Sequence, residues 1–502
     1  MVNNDHESSE HDEFGDLDGD WSVTRRHALA LASASAAGLA GCLGGGGGND
    51  SGGGGNGDGN GSGGGPGGAA VHVITDYNNE AWQQKWEESL VPAFQEETDW
   101  KVEMEYSGFS GNQESRLANL IQAGDPPAIN SSTFEQVGDI WASGGLRDIG
   151  DAVAAAQENS GTLISQPYHN GESYWEMPHG AYTGTFIYRQ DVYDELGLSV
   201  PTSFQGVLEN AKAIDEADMG IRGYGLAGQK TGKAQDEFQT YLANMGVQEL
   251  RFKDRTKQEE VEVWFPEEEI VTLLQYFKDL SQYSPDPTGI GWGSSLRNWV
   301  GGQFAQQYHL NIWPAGVAAG ANDEVAKNTA VAPMPLWEEG GITKEDSYLS
   351  NPTPDGHHVF SNSDNPEGGA AFLRWLYAED GERAARMYET EPTRFLPIYS
   401  DIIETDTFTG YDYWQQYPRQ LKMLEKVQNE IVAEYYDNIE GASVLANSPI
   451  GVYYYRFFFQ AEMVNQVVTD TLSPQKAYEQ GLQRANEIVG EARERMSDRL
   501  DN

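Results

Sequence analysis

The stretch that decides the fold begins with Val71-His72-Val73-Ile74-Thr75-Asp76, a short run rich in β-branched residues that predicts a strand. Residues 80–97 follow, with large apolar side chains four positions apart, a spacing that puts them on one face of a helix. Residues 101–106 alternate in polarity and predict a second strand. After a predicted helix over 114–123, a third short strand is predicted at 128–130. Strand, helix, strand, helix, strand at this spacing predicts a βαβ, largely parallel α/β domain.

The same succession of strands and helices continues along the chain. A strand is predicted at 182–188, a helix over 203–217 after a proline, and a longer amphipathic helix over 266–283. The C-terminal part, 402–493, reads as mostly helical, and no repeat with a solenoid period is evident. We therefore expect an α/β body that ends in helices.

The charge balance of the chain excludes several classes of partner. The chain has 502 residues, with 32 Lys and Arg against 78 Asp and Glu, for a formal net charge of −46. Binding to a nucleic-acid backbone or to an anionic membrane surface needs clustered basic residues, so neither is expected. Hydrophobic residues make up 38% of the chain, enough for a large core. The acid excess is spread along the chain, which indicates a solvated acidic surface of the halophilic kind.

The N-terminal segment predicts export. The pair Arg25-Arg26 precedes an uncharged run of small and apolar residues over 28–41, about 14 residues, which is too short to span a bilayer. The run ends in Leu39-Ala40-Gly41-Cys42, which resembles a lipobox, where cleavage precedes a cysteine that then carries lipid. A disordered acidic tail followed by a short core helix is the alternative. The order of arginine pair, apolar run and lipobox favours a twin-arginine signal peptide over 1–41.

A flexible linker follows the single cysteine. Residues 43–68 contain 17 Gly among 26 residues, so Cys42 and the segment to residue 69 predict a lipid anchor on a coil. Such a coil has an r.m.s. span on the order of 25–30 Å. No later segment is apolar enough to cross a membrane, which leaves the lipid as the only predicted membrane attachment.

Segments along nearly the whole body, from about residue 71 to 490, resemble one protein family. These segments are Leu90–Thr98, Ala123–Ala128, Gly144–Ile149, Met177-Pro178, Ile187–Tyr193, Leu196–Phe204, Gly302–Trp313, Ala332–Leu336 and Ser473–Ala477. With them, the chain resembles the extracellular solute-binding proteins of ABC importers, the class that includes maltose-binding and other sugar-binding proteins. Ala128 stands where the family's Ala-Gly-x-x-Pro-Asp signature usually has Asp.

The resemblance implies a two-lobed, periplasmic-binding-protein-like (type II) α/β fold with a hinge, discontinuous lobes and C-terminal helices. The first lobe would take 70–181 plus 330–375, and the second 182–329 plus 376–502. A small polar solute, most simply a sugar or oligosaccharide, would close the lobes around itself, and a membrane permease would recognise the closed form. The expected protein is a monomer without cofactor or catalytic activity, lipid-anchored on the extracellular face of the cytoplasmic membrane.

Polar residues that follow the predicted strands are the first candidates for ligand contacts. Open α/β sheets bind ligands beyond the carboxyl ends of their strands. Tyr77 and Asn78 follow the first strand, and Ser132 and Glu135 follow the third. Helix capping is the alternative role, and it is as plausible as ligand binding for Ser132.

The resemblance adds further candidates near the hinge and in a glycine-rich stretch. Tyr182 and Thr183 fall at the implied hinge, and Trp292 and Trp313 offer aromatic faces on which the C–H faces of a sugar stack. Arg394 falls in another contact region of the family. A core tryptophan is the alternative for Trp313, and an ion pair with one of the many acids is the alternative for Arg394.

Enzyme signatures are sparse in this sequence. No His/Cys cluster has metal-site spacing, and the adjacent pair His357-His358 is expected at the surface. The aromatic run over 453–459 is expected to be core. Carboxylates are too numerous to exclude a catalytic pair, so a secreted glycoside hydrolase remains an alternative. A lipid-anchored surface adhesion module is the other one. Neither a metal nor a cofactor is predicted.

Overall fold

The computed structural model describes residues 69–77, 79–107, 111–132, 140–141, 144–165, 167, 173–253, 260–337, 353–432 and 448–500. The predicted leader with Arg25, Arg26 and Cys42, and the glycine-rich linker, lie outside the described residues.

The described residues form eleven strands in three sheets. The strands are β1 (Val71–Thr75), β2 (Val102–Tyr106), β3 (Ile129–Ser132), β4 (Met177–Tyr182), β5 (Gly184–Arg189), β6 (Leu250–Phe252), β7 (Val261–Val263), β8 (Gln306–Leu310), β9 (Thr329–Ala332), β10 (Thr353–Val359) and β11 (Leu396–Pro397). The large sheet has the order β11-β4-β10-β3-β1-β2, and the small sheet has the order β8-β5-β9. β6 and β7 pair as a separate antiparallel ribbon.

In the large sheet only β1, β2 and β3 run parallel, and these are the strands of the predicted βαβ pattern. β1 runs parallel to both β2 and β3. β10 is antiparallel to β3 and β4, and β11 is antiparallel to β4. The small sheet is antiparallel throughout. The prediction of an α/β body is confirmed, but its strands are mixed rather than largely parallel.

Helices cover both sheets. The α-helices are α1 (Glu80–Gln84), α2 (Val91–Thr98), α3 (Gly111–Ala123), α4 (Gly150–Ser160), α5 (Gln190–Leu196), α6 (Phe204–Glu216), α7 (Gly232–Ala243), α8 (Glu267–Ser281), α9 (Trp292–Val300), α10 (Trp313–Ala321), α11 (Asp323–Asn328), α12 (Pro366–Leu373), α13 (Gly381–Ala385), α14 (Asp406–Thr409), α15 (Asp412–Gln416), α16 (Pro418–Lys426), α17 (Pro449–Tyr455), α18 (Phe459–Val468) and α19 (Pro474–Leu500). Wide turns with π-helical bonding occupy Lys85–Leu90, Arg374–Ala378 and Val427–Val432.

The apolar side chains of the first helical segment are spaced four residues apart because the segment contains a π-helical turn. In an ordinary α-helix, side chains four apart drift steadily around the axis, because one turn takes about 3.6 residues. Here the π-helical turn Lys85–Leu90 joins α1 to α2, and its wider i→i+5 bonding absorbs the drift. All four apolar side chains are consequently buried against the large sheet. They are Trp82, Trp86, Leu90 and Phe94.

The strand pairing joins segments that the expected lobe limits separate, and the limits of the two lobes stay a prediction. β9 pairs with β5 in the small sheet, although 330–375 was assigned to the first lobe. β11 pairs with β4 in the large sheet, although 376–502 was assigned to the second lobe. The helices from 449 onward do pack on the small-sheet core. Pairing between strands far apart in the chain joins these segments.

Asn311 ties together the segments that cross between the lobes. The chain leaves β4 and enters β5 through Thr183, whose backbone N–H donates to Asn311 Oδ1 at 3.0 Å. Asn311 Nδ2 donates to the carbonyl oxygens of Ala181 at 2.9 Å and Arg394 at 2.8 Å. Asn311 is buried and has φ of 48°, a left-handed conformation that asparagine tolerates better than most residues. One side chain therefore fixes three segments at the hinge.

Residues 412–432, which we call the connector helices, contact both lobes. Gln420 Nε2 donates to the carbonyl of Ala315, and the Tyr417 hydroxyl donates to the carbonyl of Ala319, both on α10 of the second lobe. Gln428 Nε2 donates to the carbonyl of Ser400, which follows β11 in the first lobe. The connector helices thus lie across the lobe junction.

Candidate ligand-binding site

Arg394 lies where the two lobes meet. Its Nε donates to the hydroxyl of Tyr182 at 3.1 Å, and its Nη1 donates to Glu391 Oε2 at 3.0 Å. The guanidinium carbon lies 5.0 Å from the ring centroid of Trp313, the first residue of α10. Only 7% of Arg394 is exposed, so its charge is held by these aromatic and acidic neighbours rather than by water.

Tyr77 is buried next to Arg394 on the first-lobe side. Its ring stacks on Trp82 with centroids 4.9 Å apart, and the Arg394 guanidinium carbon lies 5.7 Å from the ring centroid. The hydroxyl oxygen lies 2.9 Å from His179 Nε2 and donates to Asp355 Oδ2 at 3.3 Å. Burial, with Asp355 next in importance, raises the pKa of Tyr77 well above its usual value, so the hydroxyl keeps its proton.

Asp76 follows β1 directly and faces the same charges. Its Oδ1 is buried and has no hydrogen-bond partner among the described residues. Burial raises the pKa of Asp76 to about 7, the nearby carboxylate of Asp355 adds to that rise, and the charge of Arg394 opposes it. In the described part of the chain, this carboxyl oxygen is therefore buried without a hydrogen bond.

The second-lobe side is a row of aromatic rings around His309. This ring meets Trp292 at 5.3 Å and Trp313 at 5.8 Å between centroids, both edge to face, and both tryptophans are half-buried. His309 Nδ1 accepts from the backbone N–H of Leu310 at 2.9 Å, which leaves the proton on Nε2. Burial, then the charge of Lys233, holds the pKa of His309 well below its usual value, so the ring is neutral.

Lys233 packs against the Trp292 ring. Its Nζ lies 5.3 Å from that ring's centroid, donates to the carbonyl of Tyr308 at 2.8 Å and lies 3.9 Å from Glu237 Oε2. Burial lowers the pKa of Lys233 to about 8, opposed by the charges of Glu237 and Asp236. The ammonium group is fully buried, so it holds the wall in place and does not itself face a ligand.

Five of the predicted site residues come together in this structure. They form a continuous line of contacts across the lobe junction and are Tyr77, Tyr182, Arg394, Trp313 and Trp292. Thr183 is buried at the hinge beside Asn311. Ser132 is the last residue of β3, and Asn78 and Glu135 lie outside the described residues. The roles of these four residues, Thr183, Ser132, Asn78 and Glu135, as ligand contacts stay predictions.

Several residues of the site were missed from the sequence. Asp76 was read as the end of a strand, although its position directly after β1 is the usual place for a site residue. His309 sits in a strand of mixed polarity, Gln306–Leu310, that gave no clear signal. Phe458, in a run expected to be core, is half-buried and lies beside Gly232 near Trp292.

The surface position expected for His357 and His358 is wrong. Both are buried in β10, because that strand lies in the interior of the large sheet between β3 and β4. His357 Nε2 lies 2.6 Å from the Tyr377 hydroxyl, and Nδ1 lies 2.5 Å from Ser131 Oγ. Burial lowers the pKa of both histidines to about 3, so they are neutral members of a polar core.

The described ranges contain neither a candidate metal site nor a candidate membrane span. No group of three or more His, Cys, Asp or Glu side chains there is placed to hold a metal ion. No helix within those ranges has the length and apolar character needed to span a membrane.

The family of the chain follows from a direct match. The model of the bacterial extracellular solute-binding proteins matches residues 75–383, and the chain belongs to that family. No curated protein sequence matches significantly.

Solved structures with low sequence identity share the two-lobed fold, which confirms the predicted fold class. A solute-binding protein from Thermotoga lettingae, bound to α-D-tagatose, has a TM-score of 0.63 at 17% identity and covers 84% of this chain and 99% of its own. One from Agrobacterium radiobacter, in complex with ribitol, has a TM-score of 0.63 at 18% identity over 86% and 99%. The GacH receptor of Streptomyces glaucescens, solved with acarbose, has a TM-score of 0.61 at 19% identity over 86% and 99%.

Proposed function

We propose that this chain is the substrate-binding subunit of an ABC importer and that it captures a sugar or another polyhydroxy solute between its lobes. The observation that carries the proposal is the line of aromatic rings across the lobe junction, in which Trp313 and Tyr182 hold Arg394 between them. Aromatic faces with a few placed polar groups suit the alternating C–H and hydroxyl surfaces of a sugar.

The neighbouring structures support the same ligand class. The ligands named for them are a ketose sugar, a sugar alcohol and acarbose, all of which carry several hydroxyl groups. The protein releases its solute unchanged to a membrane permease and acts as a monomer. Cys42 carries a lipid after export through the Arg25-Arg26 signal, which places the lobes on the extracellular face of the membrane. A Cys42→Ala variant that still fractionates with membranes would refute the lipid anchor.

A thermal-shift screen in concentrated KCl tests the proposed function. A bound solute raises the melting temperature by mass action, and the chain should respond to at least one sugar or sugar alcohol. Trp313→Ala should abolish the response. Trp264→Ala is the matched control, because Trp264 also carries an arginine on its ring, Arg251 at 5.2 Å, but belongs to the segment beside β7.

The alternative functions give different results in the same preparation. A glycoside hydrolase would release product from an oligosaccharide, whereas a binding protein returns it intact. An adhesion module would show no compaction in solution scattering when a sugar is added. Absence of any thermal response across a broad sugar panel would refute the importer role.

A further inference from the structure

A four-residue turn just before β11 carries Arg394 to the place where the lobes meet. In residues 391–394, which we call the junction turn, the backbone N–H of Arg394 donates to the carbonyl of Glu391 at 3.1 Å. Pro392 occupies the second position, where its fixed φ favours such a turn. The turn places the two side chains next to each other, and Arg394 Nη1 donates to Glu391 Oε2 at 3.0 Å.

The junction turn packs directly on α10 of the second lobe. Thr393 is buried, and a Cβ built on Gly316 of α10 would clash with its Oγ1, so the close approach of the two segments requires glycine. The guanidinium carbon of Arg394 lies 5.0 Å from the ring centroid of Trp313, at the start of the same helix. The turn and α10 therefore form one contact between the lobes.

Glu391 holds a second side chain with the same oxygen. Nε1 of Trp82 donates to Glu391 Oε2 at 2.8 Å, and the Trp82 ring stacks on Tyr77 with centroids 4.9 Å apart. A carboxylate oxygen has two lone pairs, so this atom can accept from both the indole and the guanidinium. Glu391 consequently connects the aromatic stack of the first lobe with the cation that lies on Trp313.

The guanidinium of Arg394 is fixed at two of its nitrogens. Nη1 donates to Glu391, and Nε donates to the hydroxyl of Tyr182 at 3.1 Å. Because the guanidinium is planar, two bonds in different directions determine both its position and the direction of its face. Only 8% of the Arg394 side chain and 23% of the Glu391 side chain are exposed, so water screens this pair weakly. Loss of the Glu391 bond leaves the group free to turn about Nε.

A purely structural ion pair is the alternative role for Glu391. Such a role requires only that an acid neutralise the buried cation, and it does not account for the bond to Trp82. Glu389, two residues earlier, has this simpler arrangement, because it is exposed and pairs with Lys85. The shared oxygen distinguishes Glu391, since it joins α1 to the junction turn.

We propose that Glu391 is a positioning residue for solute binding, which orients Arg394 against Trp313 and Trp82 against Tyr77. It acts through these side chains and does not itself contact the solute. The inference rests on the proposed function and adds to it the residue that aligns the aromatic faces of the two lobes.

The first test needs no ligand and uses the exported protein in concentrated KCl, labelled with 5-fluorotryptophan. Trp82→Phe and Trp313→Phe assign the two fluorine resonances. Glu391→Gln, which keeps the shape but loses the charge, should shift both resonances, whereas the matched control Glu389→Gln should shift neither. An unchanged resonance of either tryptophan in Glu391→Gln would overturn the inference.

A double variant separates positioning from a general effect on the fold. In an Arg394→Met background, Glu391→Gln should no longer move the Trp313 resonance but should still move that of Trp82, because only the first effect passes through the guanidinium. A Trp313 shift of the same size in both backgrounds would refute the inference. If Glu391→Gln does not fold, Glu391→Asp, whose shorter side chain cannot reach both donors, replaces it in the same comparison.

The second test is calorimetry with D-tagatose, ribitol and maltose as probes. Glu391→Gln should weaken binding of the best probe about tenfold, the change expected when one charge-assisted hydrogen bond is lost. Glu389→Gln should stay within about twofold of the wild-type affinity. Wild-type affinity in Glu391→Gln, with binding lost in Trp313→Ala, would refute the inference alone. If neither these probes nor a wider sugar screen gives binding, the proposed function fails, and the fluorine resonances still decide whether Glu391 places the two tryptophans.

Discussion

Replacing Asn311 by alanine should loosen the junction of the lobes by an amount that the structure allows us to work out. The variant loses three hydrogen bonds and leaves the N–H of Thr183 and the carbonyls of Ala181 and Arg394 buried without that partner. At about 1 kcal/mol for each bond, the loss is about 3 kcal/mol. Alanine at φ of 48° adds about 1 kcal/mol of backbone strain. We expect about 4 kcal/mol for Asn311→Ala, and about 3 kcal/mol for Asn311→Gly, which is spared the strain.

The assay is denaturant unfolding in concentrated KCl, with amide exchange at Thr183 as a local readout. Asn486→Ala is the matched control, because the Asn486 side chain is exposed and makes a single hydrogen bond to the carbonyl of Leu482. It should change the free energy of unfolding by less than about 0.5 kcal/mol. If Asn311→Ala and Asn311→Gly both stay within about 1 kcal/mol of wild type, the hinge does not depend on this side chain.

Three further changes test other parts of the fold. Lys233→Met should lower the free energy of unfolding by about 3 kcal/mol by leaving Glu237 as an unpaired buried charge, and the double variant with Glu237→Gln should recover much of it. Burial raises the pKa of Glu249 to about 7, so the stability that its protonated form contributes is lost as pH rises from about 4.5 to 7. In Glu249→Gln, the free energy of unfolding should therefore depend less on pH across that range. Gly223→Ala should be strongly destabilising because its Cβ would stand 2.0 Å from a carbonyl oxygen of α6, whereas Gly289→Ala, with open space, should melt like wild type.

Local patterns in the sequence gave the elements that are built from neighbours in the chain. The strand at 71–75 and the helix that buries Trp82 and Phe94 follow directly from composition and spacing. The three parallel strands follow from the βαβ alternation. The residue types within Lys85–Leu90 do not predict a π-helical turn, but the strict four-residue spacing of the apolar side chains agrees with one.

Long-range pairing was beyond the reach of such patterns. The insertion of β10 between β3 and β4 buries His357 and His358, and nothing in the adjacent residues announces it. In the site, Tyr182 and Trp313 could be placed because aromatic residues near an implied hinge have a recognisable use. The unpaired carboxyl oxygen of Asp76 could not be, since the lack of a partner among the described residues is a property of the whole surroundings.

The position of β10 affects how the chain folds while it is being synthesised. The place between β3 and β4 stays empty until a strand made about 170 residues after β4 arrives. At ordinary ribosome speeds that delay lasts roughly 10–35 s. Throughout it the nascent chain carries two bare strand edges, which are templates for aggregation. Partly made chains can pair through these edges until β10 closes the gap.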